Sequence, residues 1–288
     1  MSLSYNFPNT VRVQKKDNMF QHLEVLKRNR VKRKQYNEIF VEGVQPIKLA
    51  LANEWQIVSF VYSRDISLSD WAVGVLDSGL SENVIELPLD LMKELSDKEE
   101  TSEILAVVSR RDDTVWAIPR NRPFTVVIID RSANPGNLGT IVRTCDAFGT
   151  DGIILFGHSV DPFDPQVIRA SVGTIFCVPV TQAESQSEIH AWIESTREKF
   201  ADLTIIGTSA KGTVPVDMCN LTKPCVFIVG NETYGVCDFF KSLSDVNAKI
   251  PQHGSASSLN VAAATSIMLY ESYRQRAAHS RSPGLDFT

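Results

Sequence analysis

Three polar stretches, each directly after an apolar run, carry side chains that could hold a ligand and orient a nucleophile. The first, RSANPGNLGTIVRTCDAFG at residues 131–149, follows PFTVVIID. Asn137 falls where a helix would be capped, and Arg143 lies off the apolar stripe of that helix. A cap and a surface ion pair would account for each residue alone, so this stretch does not by itself decide between packing and chemistry.

The other two stretches have the same construction. In VFIVGNETYGV, residues 226–236, Gly230 would let the backbone approach a ligand, and Glu232 would orient that ligand or favour a helix N-terminus. In AKIPQHGSASSLNVAAATS, residues 248–266, Ser258 has the chemistry of an N-cap. Asn260, in the predicted first turn of the last helix, is harder to explain by helix propensity.

Several other chemistries lack their motifs in this chain. No GxGxxG lies between a strand and a helix, and neither GxxxxGK[ST] nor GxSxG occurs. The five cysteines form no CxxC pair and the histidines lack metal-ligand spacing, so we expect no metal. Unpaired cysteines are typical of a cytoplasmic compartment, with an organellar address in the basic N-terminus left open. No run approaches the length of a membrane span, so we expect no membrane partner.

The elements that must position these stretches predict an α/β protein of two domains. Near-continuous apolar runs are typical of a parallel sheet covered on both faces; they are FTVVIID, GIILFG, FCVPV, LTIIGTS and CVFIVG. Ligands bind beyond the carboxyl ends of such strands. We predict a small α/β domain over 1–112, a linker over 113–122, a second domain over 123–278 and a tail over 279–288.

Charge is distributed unevenly along the chain. The net charge is −5, yet residues 1–34 hold nine Lys or Arg against two acidic residues. A local basic stripe can bind phosphate groups, although charge alone favours an ordinary solvated helix face. The dense part of this basic stripe comprises Lys27, Arg28, Arg30, Lys32, Arg33 and Lys34.

In order and spacing, NPGNLGTIVRTCDAFG, VGNETYG and IPQHGSASSLNVAAA resemble the motifs of SpoU/TrmH-type RNA 2′-O-ribose methyltransferases of the SPOUT superfamily. The segment RASVGTIFCVPV resembles the sequence between the first two motifs. This resemblance covers residues 124–276. More loosely, RKQYNEIFVEGVQPIKLAL is similar to an accessory RNA-binding domain, a small α/β fold akin to a large-subunit ribosomal protein.

The resemblance implies a mostly parallel sheet with a deep trefoil knot, an obligate homodimer, and S-adenosylmethionine as cofactor. The residues carried over to the cofactor pocket are Thr208, Ser209, Gly230, Ile250, Gln252 and Leu259. Those carried over to the catalytic site are Asn137, Arg143, Glu232, Ser258 and Asn260. Two positions depart from the family pattern: Gln252 stands where methionine is common, and Thr140 stands where alanine is common.

The implied reaction moves a methyl group from a sulfonium to a ribose 2′-hydroxyl. Arginine stays protonated in proteins, so we expect Arg143 to bind the adjacent phosphate and polarise the hydroxyl, with phosphate or solvent taking the proton. Asn137 would fix Arg143 or the ribose. Ser258 and Asn260 would hold the loop, and Glu232 would shape the pocket.

The expected partner is RNA, with rRNA favoured over tRNA because the accessory domain resembles those of rRNA-modifying relatives. A tRNA 2′-O-methyltransferase and a non-catalytic RNA-binding protein on the same fold stay as alternatives. An ordinary Rossmann enzyme is a third alternative, and the missing Gly-rich fingerprint weighs against it.

Overall fold

Two separate β-sheets organise the computed structural model, which describes residues 6–111, 114–120, 123–231 and 233–280. Contacts divide the chain into a first unit, Met1–Arg111 with Phe163–Cys177, and a second unit, Asp112–Pro162 with Val178–Thr288. The predicted linker and tail stay predictions, because residues 112–113, 121–122 and 281–288 lie outside the described residues. Within the described ranges, no helix combines the length and apolarity that crossing a membrane requires.

The first unit is built on a mixed sheet of five strands in the order β1-β4-β3-β5-β2. β1, β4 and β3 run parallel to one another, and β5 is antiparallel to β3 and β2. The strands are β1 Thr10–Arg12, β2 Glu38–Glu42, β3 Ile57–Ser63, β4 Ser81–Leu87 and β5 Ile104–Ser109. The helices are α1 Asn18–Arg28, α2 Arg30–Tyr36, α3 Val44–Ala52, α4 Asp70–Asp77, α5 Leu89–Leu95 and, from the second segment, α7 Pro165–Ala170.

Local chemistry explains how the first unit begins. The side chain of Asp17 accepts hydrogen bonds from the N–H groups of Met19 and Phe20, both at 3.0 Å, which confirms it as the cap of α1. The basic stripe is not one helix, because Asn29 has an extended backbone and caps α2 by accepting from the Lys32 N–H at 3.1 Å. Strand β1 has only three residues and was not predicted.

The second unit contains a seven-stranded sheet in the order β10-β12-β9-β11-β6-β7-β8, and every pair in it is parallel. Its strands are β6 Thr125–Asp130, β7 Gly152–Phe156, β8 Val180–Gln182, β9 Thr204–Thr208, β10 Val214–Pro215, β11 Cys225–Val229 and β12 Val246–Lys249. Its helices are α6 Pro135–Ala147, α8 Gln186–Lys199, α9 Asp238–Leu243 and α10 Val261–Ser280. Both β6 and β11 are buried along their whole length, as continuous apolarity predicts.

One predicted strand is wrong. FCVPV does not form a strand; a 3-10 turn over Thr174–Phe176 leads to β8, which begins only at Val180. The Phe176 carbonyl accepts a hydrogen bond from the Trp55 indole N–H at 2.9 Å, so this backbone group is satisfied outside any sheet. An apolar run that is buried by packing alone has the same composition as a buried strand.

Candidate active site

The carboxyl edge of the parallel sheet collects the residues that follow neighbouring strands. β12, β9, β11 and β6 lie side by side and point the same way. Thr208 ends β9, Gly230 follows β11 and Ile250 follows β12. The Ser209 N–H donates to the Ala248 carbonyl at 3.0 Å and joins the ends of β9 and β12. The structure thus gathers Thr208, Ser209, Gly230 and Ile250 at one edge.

Gly230 lies under a tight hairpin. The N–H and carbonyl groups of Asn231 and Gly235 pair with each other at 3.1 and 2.9 Å. A Cβ on Gly230 would stand 2.2 Å from the Gly235 carbonyl carbon and 2.3 Å from the Val236 nitrogen, so only glycine fits. Glu232 belongs to this stretch of sequence but lies outside the described residues, and its role stays a prediction.

A buried carboxylate joins the hairpin to the loop after β6. Asp130 is fully buried and accepts from the Arg131 guanidinium at 2.8 and 2.9 Å and from the Cys237 N–H at 2.8 Å. These hydrogen bonds raise the pKa of Arg131. Asn231 completes the link by donating to the Arg131 carbonyl at 2.9 Å. This ion pair was not predicted, although an acid that ends a wholly apolar strand is a signal for it.

The first and third polar stretches meet through two asparagine side chains. The Asn260 amide nitrogen donates to the Asn137 amide oxygen at 3.0 Å. The orientation of Asn260 is fixed, because its oxygen accepts from the N–H groups of Ala262 at 2.9 Å and Ala263 at 3.3 Å. Asn260 therefore holds the N-terminus of α10 and reaches across to α6 with the same amide group.

These contacts correct two predicted caps. Ser258 is not the cap of the last helix; it is exposed and lies two residues before Asn260, which takes that role. Asn137 is not the cap of α6, because Asn134 precedes the helix and accepts from the Asn137 N–H at 3.0 Å. Pro135 at the first helical position leaves Asn137 in the first turn, with its side chain directed to Asn260.

Arg143 lies on the exposed surface of α6. No hydrogen bond or ion pair ties its guanidinium to another residue in the described part of the chain. Arg143 is six positions after Asn137 in the helix, which puts the two side chains about 120° apart around the helix axis. The structure therefore pairs Asn137 with Asn260, and leaves the Arg143 guanidinium facing solvent.

Comparison with known proteins agrees with this arrangement of motifs. The SpoU rRNA Methylase family matches residues 125–270, and the SpoU L30e-like domain matches residues 17–106. This chain belongs to the SpoU rRNA methylase family.

Two curated SpoU relatives and one solved structure illustrate the similarity. The 23S rRNA (uridine(2479)-2′-O)-methyltransferase of Streptomyces viridochromogenes is 37% identical over 93% of this chain and 94% of its own length. The 23S rRNA (guanosine(2553)-2′-O)-methyltransferase RlmP of Bacillus subtilis is 28% identical over 81% of this chain and 88% of its own. The crystal structure of the Streptomyces SpoU methyltransferase AviRb with AdoMet has a TM-score of 0.87 and 36% identity, and covers 91% of this chain and 99% of that one.

The third SpoU motif contains one buried hydrogen-bond acceptor without a donor in the part of the chain that the structure describes. Residues 250–260 join β12 to α10 without regular structure, and Leu259 is 36% exposed. The Gln252 side-chain oxygen is buried and has no hydrogen-bond partner among the described residues. A buried acceptor without a donor is costly, and the amino groups of S-adenosylmethionine would satisfy it. The departure at Gln252 therefore fits the cofactor that the family implies.

The L30e-like domain presents only part of the basic stripe. Arg28, Arg30 and Lys34 are exposed, and Lys32 is half-buried. Lys27 forms an ion pair with Asp97 at 2.7 Å and is only 9% exposed. The prediction that Arg33 binds RNA is wrong, because its side chain is buried.

Arg33 is buried inside the first unit and cannot grip RNA from there. Its side chain is 1% exposed and pairs with Asp164 at 3.2 Å. It also donates to the carbonyls of Leu26 at 2.9 Å and Lys27 at 3.1 Å. A buried guanidinium needs such partners, and composition alone does not distinguish it from its exposed neighbours.

A cavity of about 250 Å³ lies at the opposite, amino-terminal edge of the SpoU sheet, against Thr125, Phe148, Tyr273 and Arg276. Arg276 donates to the Leu221 carbonyl at 3.0 Å, which ties α10 to this edge. The lining includes none of the predicted site residues, so this cavity is distinct from the candidate active site.

Proposed function

We propose that this protein transfers a methyl group from S-adenosylmethionine to a ribose 2′-hydroxyl of ribosomal RNA. The observation that carries the proposal is the 3.0 Å bond from Asn260 to Asn137, which joins polar stretches 123 residues apart at the carboxyl edge of a parallel sheet. Such an edge is where α/β proteins bind ligands. The family membership and the named activities of the 23S rRNA relatives support the choice of RNA.

In this proposal the strand ends hold the cofactor. Thr208, Ser209, Gly230 and Ile250 would contact it largely through backbone, with Gln252 accepting a hydrogen bond and Leu259 contributing apolar surface. When bound, S-adenosylmethionine supplies a methyl group that the positive charge on sulfur already activates. The protein has to align the hydroxyl with that methyl group, and alignment contributes several kcal/mol, about 7 or more in favourable cases.

Arg143 would hold the phosphate next to the reacting ribose. A guanidinium donates through a planar fork that matches a phosphate, and Arg143 has that fork exposed. Its positive charge would lower the pKa of the neighbouring 2′-hydroxyl. The hydroxyl proton would pass to the phosphate or to water as the hydroxyl oxygen takes the methyl group and the methyl–sulfur bond breaks. Asn137, oriented by Asn260, would hold the ribose, while Ser258 and Glu232 would complete the loops.

The experiment is a tritiated methyl-transfer assay with 23S rRNA, 16S rRNA and tRNA as separate substrates. We expect wild-type transfer to 23S rRNA and a loss on the order of 100-fold or more in Arg143→Ala. The Kd for S-adenosylmethionine should stay within about twofold, because Arg143 acts on the RNA. Arg143→Lys keeps the charge and should retain part of the activity. Full transfer by Arg143→Ala would remove the proposed role, and preferred transfer to tRNA would reassign the substrate.

The homodimer is a further part of the proposal. Helix α10 leaves Ile267, Tyr270 and Tyr273 between 40% and 52% exposed along one side, and exposed apolar side chains that cluster in this way mark protein–protein contacts. A second copy of the chain would cover them. Light scattering should give twice the monomer mass for the wild type, and Tyr270→Asp should shift the mass toward the monomer. A wild-type monomer at micromolar concentration would contradict this part.

The trefoil knot and the cytoplasmic location also stay as proposals. The knot is drawn from the family resemblance, and the location is drawn from the unpaired cysteines.

A further inference from the structure

A cluster of charged residues in the first unit lies outside every site described so far. Arg12 on β1 and Tyr62 on β3 are both register partners of Glu86 on β4, so the three side chains form one row across the sheet. Arg64 lies in the turn directly after β3, and its guanidinium also approaches Glu86. The row thus places two arginines on either side of one carboxylate.

Glu86 is buried, yet its carboxylate is only half satisfied. It is 3% exposed, and one oxygen accepts from the Tyr62 hydroxyl at 2.9 Å. The other oxygen faces Arg12 at 3.5 Å and Arg64 at 3.7 Å, and among the described residues it has no hydrogen bond. The two guanidinium groups therefore share one carboxylate oxygen, and neither forms a hydrogen bond with it.

The two guanidinium groups carry more charge than the buried carboxylate needs. One arginine would neutralise Glu86, so the cluster has a surplus of one positive charge. Arg12 and Arg64 are 61% and 45% exposed, and neither donates a hydrogen bond to any described residue. The acidic neighbour Asp65 is turned to the Leu89 N–H, from which it accepts at 3.3 Å. Two exposed guanidinium groups beside one buried carboxylate suit an anion with several oxygen atoms.

We propose that Arg12 and Arg64 together bind a phosphodiester group of the RNA substrate, with Glu86 as the positioning residue beneath them. The RNA identity rests on the proposed function, whereas the phosphate chemistry rests on the cluster itself. The site is separate from the dense part of the basic stripe, because Val61 and Ile85 alternate with Tyr62 and Glu86 and pack against α1 on the other face. The first unit would therefore contact RNA backbone on a face that the stripe does not share.

The test is filter binding of deproteinised 23S rRNA over a range of KCl concentrations, without cofactor. The variant is Arg12→Gln with Arg64→Gln. Arg197→Gln is the matched control, since Arg197 is 39% exposed and paired with Asp245 at 2.8 Å in the second unit. We expect the double variant to bind at least about fivefold more weakly at low salt, and its salt slope to fall by about 0.7 to 0.9, corresponding to one lost phosphate contact. The control should match the wild type.

A structural role for the arginines predicts a different pattern. If they only neutralise Glu86, the double variant loses thermal stability while the folded fraction binds RNA with the wild-type slope, and the proposal is overturned. A triple variant that adds Glu86→Gln removes the buried charge, so it should fold and still show the weaker binding. Arg12→Lys with Arg64→Lys should keep the slope but bind less tightly. RNA binding by the wild type that is absent or independent of salt also overturns the site.

Failure of this proposal is distinguishable from failure of the proposed function. If the wild type transfers methyl groups but the double variant binds RNA normally, the phosphate site is wrong and the activity stands. If the double variant binds weakly and the wild type transfers no methyl group, the activity is wrong and the site stands. In an active enzyme, the double variant should raise KM for RNA and leave kcat within about twofold.

Discussion

The side-chain amide of Asn260 has two separable tasks, which a pair of substitutions can distinguish. Its oxygen accepts from two N–H groups of α10, and its nitrogen donates to Asn137. Asn260→Ala removes both tasks, whereas Asn260→Asp keeps the acceptor for the helix and removes only the donor. Because the donor joins the first and third motifs, we expect Asn260→Asp to retain stability and lose activity.

The magnitudes follow from the contacts. Loss of the cap costs about 1 kcal/mol, and loss of an exposed neutral hydrogen bond costs at most about 1 kcal/mol. Asn260→Ala should therefore lose about 1–2 kcal/mol, or roughly 2–8 °C in Tm. In Asn260→Asp, the added charge at the helix N-terminus contributes about 0.3–1 kcal/mol and offsets the lost bond. Its Tm should stay within about 2 °C of the wild type, while methyl transfer falls about tenfold or more.

The assay compares thermal unfolding with initial rates of tritiated methyl transfer for both variants. Asn134→Asp is the matched control, because Asn134 caps α6 through the Asn137 N–H and is not a hydrogen-bond partner of Asn260. That control should retain both stability and activity. The reasoning is refuted if Asn260→Asp is as active as the wild type, or if it loses as much stability as Asn260→Ala.

Three further predictions test other parts of the structure. Gly230→Ala forces a Cβ against the Gly235 backbone, so it should destabilise the fold by about 1–3 kcal/mol. In a binding titration, the variant should also bind S-adenosylmethionine at least about tenfold more weakly. Wild-type affinity in this variant would contradict the packing at Gly230. The Arg274 guanidinium holds the pKa of Glu271 below its usual value, so this pair stabilises the fold at neutral pH and loses that effect as the pH falls through 4.5 toward the lower folded-state pKa. In urea titrations, Glu271→Gln should lower the free energy of unfolding by about 0.5 kcal/mol at neutral pH, because Arg274 is half-exposed. In acid the variant and the wild type should have the same free energy of unfolding, and a difference that persists there would refute this prediction. Burial raises the pKa of Cys145 to about 12, so this thiol should resist Ellman's reagent in the folded protein and react on unfolding; mass spectrometry that finds it labelled in the native state would contradict its burial.

Much of the fold could be predicted because the periodic signals are strong. Continuous apolar runs predicted β6, β7, β9 and β11, and Asp17 marked the start of α1 correctly. The wrong predictions arise where a buried apolar segment does not form regular secondary structure. In FCVPV, the Phe176 ring packs edge-on against Trp55, and the Phe176 carbonyl accepts a hydrogen bond from the Trp55 indole, which no periodicity reveals. Short edge strands such as β1 and β10 have too few residues to show a pattern.

The candidate site shows the same division between local and distant information. Polar residues after β6, β11 and β12 predicted which stretches lie at the carboxyl edge, and the family resemblance added Thr208 and Ser209 at the end of β9. The partners of those side chains could not be predicted, because Asn137 and Asn260 are 123 residues apart and Asp130 pairs with the backbone of Cys237. The basic stripe failed at Arg33 for a related reason, since its ion pair with Asp164 depends on tertiary structure.

The central claim is that the methyl group goes to a ribose 2′-oxygen, and alkaline digestion of the labelled RNA tests it most directly. Alkali cleaves RNA through the 2′-hydroxyl, so a methylated ribose leaves the adjacent phosphodiester intact. We predict that 23S rRNA labelled by the wild-type protein releases tritium in an alkali-resistant dinucleotide, and that Arg143→Ala releases almost none. Label recovered in mononucleotides would place the methyl group on a base and contradict the account.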